Sequence, residues 1–287
     1  MFSTRGRTSL RSSSDATLMT IFRRDEIAME QAFQETCQET SLADLYEKAA
    51  PDWLRDTPLV RDDLIAWPFI LQKVKDLAAG GVVVDFGCGT GNISRLISSV
   101  VRTVVGLDDC REMIREAEDR TASGGNITYL EADMKTAAER LAKSSADLVL
   151  GAFAFCCLQD QRELVTAFRQ ARLLLKPGGH LLIQEPHPFA AFARKQSSWA
   201  NDSGIPESYF ETGVVVRRTL RTADGRSIAV GRHHFPLSVF LNSLIEAGFI
   251  IDEFVEPKPS DDLLKEFPDL LVEATTPSSF ILTARVG

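Results

Sequence analysis

Val82-Val83-Val84-Asp85-Phe86-Gly87-Cys88-Gly89-Thr90-Gly91 is the stretch from which the rest of the chain is read. Its first half is an apolar, β-branched run broken only by Asp85, which is how a strand buried on both faces of a parallel sheet reads. Its second half is a glycine turn, where the backbone can take unusual φ values and approach a ligand closely. Ile93, Leu96, Ile97 and Val100 then recur at helical spacing, so the order is strand, turn, helix. A dinucleotide fingerprint would need glycine at position 92, where Asn92 stands. The carboxylate of Asp85 would also repel a pyrophosphate, and it suits a cationic ligand better.

The same alternation continues downstream. Val104 to Leu107, Ile127 to Leu130, Leu148 to Phe153 and Leu181 to Gln184 read as strands. Between them, Arg111 to Arg120, Ala137 to Ala142 and Arg162 to Leu175 read as helices. Lys176-Pro177-Gly178-Gly179 predicts a type II turn, with Pro presetting φ and Gly supplying the positive φ that follows. Such βαβ units imply an α/β fold, a Rossmann-like doubly wound parallel sheet over residues 82 to 185 with helices on both faces. Residues 186–232 interrupt the pattern and read as an insertion. It carries a hairpin of Gly213 to Leu220 and Ser227 to Arg232 across Asp224-Gly225. A helix Leu237 to Ala247 and strands Phe249 to Val255 and Phe280 to Val286 complete a domain over residues 81–287.

Residues 25–80 read as an N-terminal helical lid segment, with a helix over Ile27 to Lys48 and breaks at Pro51, Pro58 and Pro68. Residues 1–24 hold five arginines and one acid among Ser and Thr, and read as a disordered or targeting head.

Composition narrows the function. The 287 residues carry 40 acids and 32 bases, a net charge of −8, with mean hydropathy −0.05. No apolar run approaches the roughly 20 residues of a membrane-spanning helix. Beyond the head no basic cluster is present to meet a phosphate backbone, so the expected partner is a small molecule rather than nucleic acid or membrane. Five cysteines without a C-x-x-C pair suggest neither zinc nor a disulfide framework, and so a cytoplasmic protein with no metal. A monomer or homodimer fits.

Three acids close three consecutive strands or lie in the turns beyond them: Asp85 within the first motif, Asp108 after Val104-Val105-Gly106-Leu107, and Asp133 after Glu131-Ala132. A carboxylate in the second position can accept both hydroxyls of a ribose, and one in the third can accept from an adenine amino group. Each could also simply cap a helix.

In this ordered trio the chain resembles class I S-adenosylmethionine-dependent methyltransferases. The resemblance implies the cofactor S-adenosyl-L-methionine and the strand order 3-2-1-4-5-7-6, with strand seven antiparallel. It implies that Asp85 and the backbone of Gly87, Cys88, Gly89 and Gly91 line the methionine and ribose, and that Asp108 binds the ribose hydroxyls. Asp109, Met113, Asp133, Met134 and Phe153 would complete the donor site, Met113 packing on the adenine. Gly106 to Ile114 looks like the family's second signature, with Cys110 where Ser or Ala is usual, and Leu175 to Gly179 matches its turn before strand five.

The second half is similar to a small-molecule branch of the family that includes natural-product tailoring enzymes. Glu185-Pro186-His187-Pro188-Phe189, Ser208-Tyr209-Phe210-Glu211, His233-His234-Phe235-Pro236-Leu237-Ser238 and Glu246-Ala247-Gly248-Phe249 carry that likeness, with Phe235 where the branch usually has Arg. The function it implies is methyl transfer to oxygen or nitrogen of a small organic molecule, in secondary metabolism. Two other readings stand beside it: a donor-binding fold without methyl transfer, and an NAD-dependent oxidoreductase.

His187 and His234 are the expected catalytic bases, each with the alternative of a purely structural histidine. His233 and His180 are expected to face solvent. Tyr46, Phe155 and Tyr209 are expected against the substrate, with core packing the alternative for the first two. Cys156 and Cys157 read as small apolar filling.

Overall fold

The computed structural model describes residues 41–52, 61–193, 200–221 and 227–287. The head, the first part of the predicted N-terminal helix, Pro58 and the Asp224-Gly225 turn lie outside those residues.

Each β-branched run over residues 82–185 forms a strand of one sheet. The strands are β1 (Val82–Phe86), β2 (Thr103–Asp108), β3 (Ile127–Glu131), β4 (Ala146–Ala152) and β5 (Leu175–Pro186). After them come β6 (Ala200–Ser203), β7 (Val214–Arg221), β8 (Ser227–His234), β9 (Phe249–Val255) and β10 (Ser279–Val286). The main sheet has seven strands in the order β3-β2-β1-β4-β5-β10-β9. Strands β1 to β5 pair in parallel, and β10 runs antiparallel to both β5 and β9. With β6 to β8 set aside, this is the order 3-2-1-4-5-7-6 that the resemblance implies.

The period of two along each strand divides the core. Val84, Phe86, Val149, Leu181, Ile183 and Leu282 face one layer, under the helices Gln161–Leu174 and Leu237–Glu246. Val83, Val104, Leu148, Leu150, Leu182 and Ile281 face the other, under the helix Arg61–Ala78. Burial on both faces is why these strands read as continuous apolar runs. Gly178 takes the positive φ, 78°, that the predicted turn requires.

Pro68 corrects one expectation. It does not end a helix but lies inside Arg61–Ala78, where it deprives the Leu64 carbonyl of its N–H partner. Ala66, Ile70, Val74 and Ala78 are buried against the sheet, and that packing outweighs the missing hydrogen bond. Pro68→Ala restores the donor and is expected to raise stability by roughly 1–3 kcal/mol. A lower urea midpoint for the variant would contradict this.

Between β5 and Leu237 the chain makes a separate three-stranded antiparallel sheet, β6-β7-β8. The hairpin strands pair from Val214 with His234 to Arg221 with Ser227. The helix Leu42–Ala49 packs on β8: Leu42 lies over Gly231, and the Tyr46 hydroxyl donates to the Gly231 carbonyl at 2.8 Å. Gly231 matters because any side chain there would run into Leu42.

Candidate active site

Strand order reverses between β1 and β4, and in open α/β sheets ligands bind at such a switch point, beyond the carboxyl ends of the strands. A cavity of about 780 Å³ lies there, within the range of small-molecule sites. Its floor is built from the turns after β1 to β4, and its roof from Val215, Arg217 and His233 of the small sheet with Tyr46 of the helix Leu42–Ala49.

The turn after β1 is held by backbone bonds from Cys88 N–H to the Leu107 carbonyl and from Gly91 N–H to the Cys88 carbonyl, both 2.9 Å. Gly87 has φ 62°, and a Cβ on it would stand 2.6 Å from that of Ala154. At Gly89, φ 53°, a Cβ would meet nothing within 4 Å, so this backbone faces open space in the cavity wall. Asp108 straps the turn to β2: Oδ2 accepts from Gly89 N–H and Oδ1 from Cys110 N–H, both at 2.9 Å. The Asp85 carboxylate accepts from the Ser94 hydroxyl at 2.6 Å. Asp133 does cap a helical turn, accepting from Lys135 N–H at 2.7 Å, and it lines the cavity as well.

Burial dominates the electrostatics. It pushes Asp85 up to about 7, against the Ser94 hydrogen bond, and Asp108 up to about 6, against its two backbone donors. Asp109 is raised by burial and by nearby Asp133. A cation bound beside these groups favours their ionised forms.

Of the residues expected at the donor, Asp85, Gly87, Cys88, Gly89, Asp108, Asp109, Met113, Asp133, Met134 and Phe153 all line this cavity. Phe153 sits at φ 56°, a conformation costly for a bulky residue, and its N–H donates to the Gln184 carbonyl at 2.7 Å. Gly91 lies outside the lining; its φ is 79° and a Cβ there would collide with the Tyr129 hydroxyl.

The expected substrate and base residues divide. Tyr46 lines the cavity, beside Cys157. Phe155 does not: it is fully enclosed between the rings of Phe86, Phe168 and Phe240. Tyr209 also lies off the cavity, its hydroxyl accepting from Leu237 N–H at 2.9 Å and its ring against Phe192 and His234. Neither His187 nor His234 lines it. His187 is bound through Nε2 to Glu256 at 2.9 Å, and its Nδ1 accepts from Phe189 N–H at 3.2 Å. His234 Nε2 lies 2.9 Å from the Tyr209 carbonyl. His233, expected in solvent, is the histidine that faces the cavity, and Cys157 lines it too. The period of two in β8 puts Gly231 and His233 on one face, a signal present in the sequence but hidden until the helix over Gly231 shows which face is covered.

The glycine turn with its bare Gly89 backbone, the buried acids in its rim and the enclosed space beyond fit a nucleoside carrying a positive charge. Residues 83–179 match the family model described as a methyltransferase domain. A solved S-adenosylmethionine-dependent methyltransferase from Mesorhizobium loti is 25% identical, with a TM-score of 0.56, over 76% of this chain and 96% of that one. Over the matched residues this is a class I S-adenosylmethionine-dependent methyltransferase domain. Among curated relatives, the putative methyltransferase YqeM of Bacillus subtilis is 25% identical over 63% of this chain and 79% of its own length. The trans-aconitate 2-methyltransferase of Streptomyces avermitilis is 30% identical over 49% of this chain and 53% of its own length. The cofactor of the methyltransferase is S-adenosylmethionine, and among the described residues no helix is long and apolar enough to cross a membrane.

The raised carboxylates predict a pH signature. Affinity for the cationic donor is expected to fall as pH drops from about 8 to 5, because Asp85 and Asp108 take up protons near 7 and 6. Near neutrality binding should release protons, seen by calorimetry in buffers of different ionisation enthalpy. An affinity independent of pH over that range would contradict the assignment.

Proposed function

We propose that this methyltransferase transfers a methyl group to oxygen or nitrogen of a small organic molecule, as a tailoring step in secondary metabolism. The observation that carries this is the roof: β7, β8 and the helix Leu42–Ala49 enclose the space over the glycine turn, which favours an acceptor of small size. One relative, by its name, acts on a small organic acid.

In this reading Asp108 holds the ribose hydroxyls, Asp133 and the Met134 backbone meet the adenine, and Met113 packs on it. Asp85 and the Gly87 to Gly89 backbone line the methionine end. S-adenosylmethionine supplies an electrophilic methyl group on its sulfonium sulfur. The protein's own part is to fix the acceptor beside that group, with Tyr46, Trp67 and Phe153 as apolar walls that exclude water.

The test is incubation of the full chain with S-adenosylmethionine and a panel of phenols, alcohols, carboxylic acids and amines. A product heavier by one methylene supports the proposal. Tight donor binding with no methylated product favours a donor-binding fold without transfer, and a fluorescence change with NADH favours a nicotinamide enzyme.

A further inference from the structure

We infer that His233 is the catalytic base of this site and that the atom it serves is an acceptor oxygen. This rests on the methyl transfer proposed above and adds the proton's destination. The four histidines are placed very differently. His180 pairs with Arg285 at the start of β5's sheet pairing, near the edge opposite the glycine turn. Both ring nitrogens of His187 are engaged, and His234 is held by the Tyr209 carbonyl between the rings of Phe192 and Tyr209. His233 alone among them lines the cavity, opposite Val215 in the β7–β8 register, which lines it too.

The orientation of the ring follows from which atom is covered. Nδ1 of His233 is enclosed by protein and has no hydrogen-bond partner of good geometry, so the edge left to meet a molecule in the cavity is that of Nε2. Burial lowers the pKa of the ring below its ordinary 6.5; Arg217 of β7 acts in the same direction, while the Cys157 backbone and Glu163 of the helix Gln161–Leu174 oppose it. The imidazole is therefore neutral near pH 7 and has a lone pair to offer. Two other groups of the cavity wall near it are committed: Tyr46 donates to the Gly231 carbonyl and burial holds its phenol well above 10, while Glu163 pairs with Lys135 at 2.8 Å.

A neutral amine needs no base to attack a sulfonium methyl, whereas a hydroxyl of high pKa does. A neutral imidazole in the roof is thus chemistry for oxygen. In the step, the acceptor's O–H proton moves to Nε2 and an oxygen lone pair forms the new C–O bond. The methyl–sulfur bond breaks with its electron pair staying on sulfur, leaving a neutral thioether. Water then takes the proton from the imidazolium.

The test uses the full chain, His233→Gln and the acceptor panel above. The expected result is an O-methylated product, with kcat lowered about 100-fold or more in the variant and donor affinity changed less than about twofold. Wild-type kcat/KM should fall on the acid side below about 6.5, and that limb should vanish in the variant. O-methylation that survives His233→Gln, or a wild-type product methylated on nitrogen, overturns the inference. A second readout needs no acceptor or variant: nitrogen-15 NMR of the wild-type protein with S-adenosylhomocysteine. There a neutral His233 with Nε2 unprotonated at pH 7.5 supports it, and a doubly protonated ring overturns it. Donor binding without any methylated product is a failure of the proposed function, and the NMR result then judges the imidazole separately.

Discussion

Asp108→Ala is expected to weaken S-adenosylmethionine binding by about 100-fold or more, roughly 3 kcal/mol. Two losses combine. The substitution removes the carboxylate proposed to accept the ribose hydroxyls, and hydrogen bonds to a charged acceptor are worth about 1.5–3 kcal/mol each. It also takes away the acceptor of Gly89 N–H and Cys110 N–H, so the glycine turn loses its strap to β2. Asp108→Asn separates the two. It retains one acceptor oxygen and the shape, and should lose less affinity than alanine while abolishing the proton release near pH 6. Calorimetric titration of both variants measures this, with the melting temperature as a control for folding. Wild-type affinity in Asp108→Ala would remove the residue from the donor site.

The second large effect is expected away from the donor's contacts. Glu185 lies next to the end of β5, buried, and its carboxylate accepts from Phe155 N–H at 2.7 Å and Cys156 N–H at 3.1 Å. Those donors belong to the turn after β4, which carries Phe153 and Cys157 into the cavity wall. Glu185→Ala leaves them unpaired in the interior and opens a cavity, at a cost of about 3–5 kcal/mol in stability. Glu185→Gln keeps one acceptor and should lose less.

The sign of the pH dependence distinguishes a buried carboxylate from a paired one. Burial raises Glu185 from 4.5 to about 7, so the folded state holds its proton more tightly than the unfolded chain does. This contribution to stability is fully present below about 4.5 and is lost as pH rises through about 7. In Glu185→Gln that loss disappears. Urea unfolding of both proteins at pH 5 and 8 reads it, and equal pH dependence in the two would contradict the account.

The sheet was legible because its strands are buried on both faces: Val82-Val83-Val84 or Leu181-Leu182-Ile183 leave no polar face to confuse the period. The cavity floor was legible for a related reason. Gly87, Gly89, Asp108 and Asp133 belong to turns set directly by the ends of those strands, so position in sequence gives position at the crevice. The cavity roof depends instead on which face of β7 and β8 turns inward, and that is fixed by Leu42 and Tyr46 packing on Gly231, far away in the chain. Of the adjacent pair His233-His234, one enters the cavity and the other turns to the Tyr209 carbonyl, a difference no local pattern records. Phe155 misled for a similar reason. An aromatic just past β4 can wall a pocket or fill the layer below, and Phe86, Phe168 and Phe240 claim it for the layer. Pro68 shows tertiary packing overriding a local breaker.

The central claim is that the turns at the carboxyl ends of β1 to β4 together hold the methyl donor. Amide hydrogen exchange with and without S-adenosylhomocysteine tests it most directly. New protection is expected at residues 87–91, 108–113, 133–135 and 153–157, with the distant strands β9 and β10 unchanged. Protection absent from those four turns, or concentrated elsewhere in the chain, would contradict it.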